Sequence, residues 1–138
     1  MKTILVLEDE PILLNLLRLI LRRSGYTVLE AADAEEALWK FHHNNRFLDL
    51  MIADVNLPSS SGIQVALVLR AELPDLRVIL TSGYPATTWN PRDSADLWRL
   101  GPDSVRVLQK PFRPMTLLNT VRELTVMLPT ELTRTAVT

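Results

Sequence analysis

Five short, almost wholly apolar runs recur along the chain, and each is followed by a longer segment that carries helix start and stop signals. The runs are Thr3 to Leu7 (TILVL), Thr27 to Leu29 (TVL), Leu50 to Ala53 (LMIA), Val78 to Leu80 (VIL) and Val105 to Leu108 (VRVL). A strand with one wet face alternates polar and apolar residues. These runs mostly do not alternate, so they predict strands buried on both faces. Five strands separated by helices need crossover connections, which parallel neighbours require and hairpins do not. The predicted class is therefore α/β, a doubly wound five-stranded parallel sheet with helices on both faces.

The helical segments are punctuated in detail. Pro11 suits a first helical position, Leu13, Leu16, Leu17 and Ile20 keep to one face, and Gly25 can take the left-handed cap. Asp33 with Glu36 predicts a capping box, with Ala37, Leu38 and Phe41 as the inward stripe of a second helix. A third helix is expected from near Ser61 to before Pro74, and a last one from Pro114 that buries Leu117, Leu118, Val121 and Leu124. The stretch from Thr81 to Lys110 is longer than one helix of about 11 residues with loops of about 2 to 6 requires. An extended loop or extra turn is expected at Asn90 to Leu100. Trp39 and Phe41 are expected in helix packing, Trp89 and Trp98 in a small satellite core, and His42 and His43 at the surface. Residues 129–138 are expected to be a polar tail, and the folded unit is expected over 1–128.

Composition narrows the function. The chain has 138 residues, which is about one domain. The absence of Cys excludes disulfides and thiolate zinc, and the adjacent His42 and His43 cannot surround a metal by themselves. Any metal is held by oxygen. Fifteen Lys and Arg against sixteen Asp and Glu lack the basic excess of a nucleic-acid binder, so no direct DNA binding is expected. The most apolar stretch, Ile12 to Leu21, is broken by Asn15 and Arg18 and falls short of the ~20 residues needed to span a bilayer. The first apolar run leads straight into Glu8, Asp9 and Glu10, unlike a secretion signal. A cytoplasmic location without membrane attachment is expected.

Open parallel sheets bind ligands beyond the carboxyl ends of their strands. The first strand runs into Glu8 and Asp9, the third into Asp54, the fourth into Thr81 and Ser82, and the fifth into Lys110. If the first and third strands are neighbours, three carboxylates converge and need a cation. Hard oxygen donors favour Mg2+. Asp54 is then equipped as a nucleophile toward a phosphoryl group, with Mg2+ and Lys110 offsetting charge on the transferred oxygens and Thr81 bonding one of them.

The strings VLEDEP, DVNLPSSSG, LTSG and QKPF occur in that order, with Pro58 and Gly62 four and eight residues after Asp54 and Pro111 after Lys110. In this the chain resembles the response-regulator receiver domain of two-component signalling, of the single-domain, chemotaxis-regulator-like kind, over about residues 3 to 126. The resemblance implies a flavodoxin-like sheet of order 2-1-3-4-5 and a phosphoaspartate at Asp54, made from a phosphohistidine on a sensor histidine kinase or phosphotransfer protein. It also implies Mg2+ held by Asp9, Asp54 and the backbone carbonyl of Asn56, with Glu8 acting directly or through water. Thr81 is then the switch hydroxyl, Lys110 the phosphate contact, and the Lys110–Pro111 bond cis. Catalysis is limited to the chain's own phosphoryl transfer and dephosphorylation, so it is not an enzyme in the ordinary sense.

With no room for a second folded domain, output is expected through a separate downstream protein, a homodimer or onward phosphotransfer. The expected surface is the fourth helix, fifth strand and fifth helix. Two departures stand out. Val107 occupies a position where most receivers carry Phe or Tyr, which makes Tyr84 the switch candidate, and Glu8 replaces the commoner Asp. Val107 leaves open an interaction module that works without phosphorylation. A magnesium-dependent phosphohydrolase with an aspartyl nucleophile is a third reading, opposed by Asn56 where a second acid is needed and by the lack of a cap domain.

Overall fold

The computed structural model describes residues 2–126. Five strands, β1 (Thr3–Leu7), β2 (Thr27–Ala31), β3 (Leu50–Asp54), β4 (Arg77–Ser82) and β5 (Val105–Gln109), alternate with five helices. The helices are α1 (Pro11–Arg23), α2 (Ala34–His42), α3 (Gly62–Glu72), α4 (Pro91–Leu100) and α5 (Pro114–Val126). The strands form one sheet of order β2-β1-β3-β4-β5, and every pair is parallel. This is the class, strand order and winding expected. The tail expected at 129–138 lies outside the described residues.

Each strand buries two faces because alternate side chains enter two separate cores. Leu5, Met51, Ala53, Val78 and Leu80 meet Phe41 of α2, Ile63 and Leu69 of α3 and Leu100 of α4. Ile4, Val6, Ile52 and Ile79 meet Leu17 and Leu21 of α1 and Leu117, Val121 and Leu124 of α5. Local chemistry sets the helix ends. Asp33 Oδ1 accepts the Glu36 N–H (2.8 Å), although Glu36 Oε1 returns to the Ala32 N–H (2.7 Å) rather than to Asp33. Gly25 turns the chain out of α1 at φ +94°, donating its N–H to the Arg22 carbonyl (3.0 Å).

The segment from Asn90 to Leu100 is helical rather than an extended loop. Asn90 caps α4 by accepting the Asp93 N–H (2.8 Å), Pro91 opens the helix, and Gly101 ends it at φ +87°. The surplus length goes into two single 3-10 turns, Ala86–Thr88 and Pro102–Ser104. The apolar pattern was weak there because two of the buried positions of α4 are Asp93 and Asp96. Two aromatic expectations are corrected as well. Trp39 is 58% exposed and stacks on His43 at 3.8 Å, and Trp98 is 79% exposed, because both stand on outward helix faces. Phe41 is buried, Trp89 packs partly buried against the core, and His42 and His43 are exposed.

Candidate functional site

Parallel pairing brings the carboxyl ends of β1, β3 and β4 to one edge. Leu7 pairs with Ala53 and Asp54 with Thr81, so the residues that follow β1 and those that end β3 and β4 are neighbours. Glu8 N–H is tied to the Ala31 carbonyl (3.0 Å) and Val55 N–H to the Thr81 carbonyl (2.9 Å). Lys110 follows β5, its own N–H held by the Ser82 carbonyl (2.7 Å), and the Lys110–Pro111 peptide is cis. These backbone bonds deliver four strand ends to one pocket.

Within it, Lys110 Nζ donates to Glu8 Oε1 (2.9 Å) and to Asp54 Oδ2 (2.8 Å). Glu8 is 1% exposed and Asp54 5%, while Asp9 is open to solvent. The remaining oxygens are also engaged. Glu8 Oε2 accepts the Glu10 N–H (3.0 Å) and Asp54 Oδ1 accepts the Asn56 N–H (2.9 Å). Burial raises the Glu8 carboxyl above the usual carboxylate range, assisted by the Asp54 charge and opposed by the bonds to Lys110 and Glu10. Burial pulls the Lys110 ammonium down, but its hydrogen bonds to Asp54 and Glu8 outweigh that and hold it above its ordinary value. The longer Glu8 side chain thus reaches the centre of the cluster and is clamped there.

Glu8, Asp9 and Asp54 each offer an oxygen within 4.8 Å of the others. One ammonium does not neutralise three carboxylates, and the donors are all hard oxygens with Asp9 on the open side. The set fits a small divalent cation that keeps part of its water shell. Thr81, 2% exposed, is the strand neighbour of Asp54, which puts a hydroxyl beside that carboxylate.

The loop after β3 explains the spacing from Asp54 to Gly62. A Cβ built on Gly62 would stand 2.3 Å from the Asp54 carbonyl oxygen and 2.8 Å from the Ala53 Cβ, so only glycine lets α3 begin there. Sequence reading used Gly62 for its register alone. Tyr84 is 65% exposed, with its N–H on Ser82 Oγ (3.1 Å). Its carbonyl accepts the Trp89 indole N–H (3.2 Å), a link between the loop after β4 and the start of α4 that the sequence did not signal. Val107 is half-buried and borders an apolar groove shared with Leu97 and Trp98.

A family model described as the response regulator receiver domain matches residues 4–122. The response regulator GtcR of Aneurinibacillus migulanus is 36% identical over 83% of this chain, but the match covers 43% of that protein. The chain therefore spans less than half the length of that relative. The response regulator receiver protein CpdR of Brucella abortus is 27% identical over 91% of this chain and 98% of its own. Among solved structures, the response regulator TrrA of Thermotoga maritima in complex with Mg(2+)-BeF superposes with a TM-score of 0.71 at 34% identity. That likeness covers 90% of this chain and 99% of TrrA.

Proposed function

Because this chain belongs to the response regulator receiver domain family, we propose that it accepts a phosphoryl group on Asp54 from a phosphohistidine of a sensor histidine kinase or phosphotransfer protein. The observation that carries this reading is the bridge of Lys110 Nζ between the buried carboxylates of Asp54 and Glu8 in an otherwise acidic pocket that Asp9 leaves open to solvent. In the transfer, an Asp54 carboxylate oxygen forms a bond to phosphorus as the bond from phosphorus to the donor nitrogen breaks. The imidazole nitrogen leaves with the electron pair.

Lys110 moves from Asp54 Oδ2 to a phosphoryl oxygen, so its charge follows the charge being transferred. Thr81 then donates its hydroxyl to another phosphoryl oxygen. Asp9, Asp54 and the Asn56 carbonyl, with Glu8 beside them, would hold Mg2+, which supplies charge neutralisation to the transferred oxygens. The Asn56 N–H on Asp54 Oδ1 keeps the carboxylate turned toward the pocket. Output is a changed surface around α4, β5 and α5 for a downstream protein or a second copy, or passage of the phosphoryl group onward.

Incubation with phosphoramidate and Mg2+ followed by intact mass tests the reading. One added phosphoryl group, lost in Asp54→Asn, is expected. No gain, with folding intact, would leave the module that works without phosphorylation, which Val107 favours. Continuous turnover of phosphate esters would instead identify a hydrolase.

A further inference from the structure

The end of the sheet where the strands begin carries an apolar groove that the phosphoryl chemistry does not use. It has a volume of about 340 Å3 and lies between the loop before β3, the loop before β4 and the last turn of α5. Phe47 stands along it, half exposed, beside the buried Leu48, Leu76 and Leu124 and the half-buried Leu73.

The rim of this groove carries acids without cationic partners. Asp49 and Asp75 line it, and none of the ion pairs among the described residues includes either. Asp49 Oδ2 accepts the Thr3 N–H (2.7 Å), a neutral donor, and Asp75 stands in solvent. Arg77 does not balance them, because its side chain is buried and its Nη1 donates to the Asp75 backbone carbonyl (2.8 Å). The groove thus calls for an apolar segment that brings a cation.

The chain itself supplies one. Thr125 lines the groove, and α5 ends one residue later, at Val126. Residues 127–138, beyond the described ones, read MLPTELTRTAVT, so Leu128 and Leu132 offer apolar side chains and Arg134 a cation. At no more than ~3.6 Å per residue, Arg134 can lie up to about 29 Å from Val126, enough to cross a groove that begins at Thr125. A segment tethered beside a surface also meets it at high effective concentration, so modest contacts suffice. We propose that residues 128–134 dock in this groove, with Leu128 and Leu132 against Phe47 and Leu73 and Arg134 paired with Asp75. An apolar centre with charges at the rim is the ordinary layout of an interface. Docking ties the end of α5 to the starts of β3 and β4, at the far end of the strands from Asp54.

The chain has no Cys, so Ala136→Cys takes a single nitroxide label. In nitrogen–proton NMR spectra of that full chain, the amides of Phe47, Leu48, Asp75 and Leu76 are expected to lose more than half of their intensity. Those of Asp9, Asn56 and Tyr84, at the other end of the strands, are expected to keep theirs. Tethering alone brings the label near α5, so the deciding comparison adds Leu132→Asp and Arg134→Glu, which should return most of the lost intensity. Asp75→Arg combined with Arg134→Glu alone, which reverses the pair, should bring the loss back. Equal loss in the chain with Leu132→Asp and Arg134→Glu overturns the docking, and so does an absence of selective loss. Nitroxide-bearing chain mixed with isotope-labelled chain lacking the nitroxide identifies the occupant. Loss in that mixture would place a second copy in the groove and overturn the proposal.

Discussion

Gly62 lies directly against Asp54: a side chain on the first residue of α3 would stand 2.3 Å from the Asp54 carbonyl oxygen. At this one position the Asp54 carbonyl and the Ala53 methyl group leave no room for a side chain between β3 and α3. Gly62→Ala is therefore expected to push α3 and the loop after β3 outward. The cost of overpacking is about 1 to 3 kcal/mol, measured by urea unfolding. Phosphoryl uptake should slow as well, because the Asn56 N–H that orients Asp54 sits in the displaced loop. Unchanged stability and uptake would mean that the loop yields freely.

Lys110→Ala leaves Glu8 and Asp54 facing each other without their shared donor. A loss of about 1 to 3 kcal/mol is expected without metal, partly recovered when Mg2+ is added. Phosphoryl uptake should fall sharply even where Mg2+ binds. Chemical denaturation with and without Mg2+, beside intact mass, separates the two roles.

Mg2+ should raise the unfolding midpoint by mass action, with a gain of about 2.7 kcal/mol at ~100 times its dissociation constant. Asp9→Asn should remove most of that gain while leaving the metal-free midpoint in place, since Asp9 is exposed. A full Mg2+ response in Asp9→Asn would move the cation to another group.

Tyr84 and Trp89 are joined through the Tyr84 carbonyl, so a change at the acceptor edge that moves one should be felt by the other. Beryllofluoride with Mg2+ is expected to shift the Tyr84 ring resonances toward a buried environment and to change Trp89 fluorescence. Spectra of both residues that stay unaltered would exclude Tyr84 as the switch.

Arg70 ties the end of α3 to the last carbonyl of α4. Arg70→Ala should cost about 2 to 3 kcal/mol from the lost charged hydrogen bonds. Hydrogen exchange should quicken first at the carboxyl end of α4, around Leu97 to Leu100. Uniform loss of protection over the whole sheet would place the role of Arg70 in global stability instead.

The local elements were legible because their causes are local. Pro11, the Asp33 and Glu36 pair, Ser61 and Pro114 act within a turn of themselves, and the five apolar runs carry their own burial requirement, so element types and order follow from the residues. The acids, the threonine and the lysine could likewise be assigned to strand ends. Sequence could not make them neighbours: Glu8 and Lys110 are 102 positions apart, and their 2.9 Å contact exists only because β1, β3, β4 and β5 lie side by side.

Tertiary structure alone also decided which faces are covered. Trp39 and Phe41 are two positions apart on α2, yet one lies against solvent and the other in the core. Buried Asp93 and Asp96 concealed α4 from an apolar-periodicity reading, and Gly62 counted only for its register until the Asp54 carbonyl stood against it. Propensity and capping are properties of a few consecutive residues, whereas burial and close approach belong to residues that meet only when the sheet assembles. The sequence thus determined the strands, the helices it could punctuate and the chemistry at each strand end. Packing determined that this chemistry forms one site.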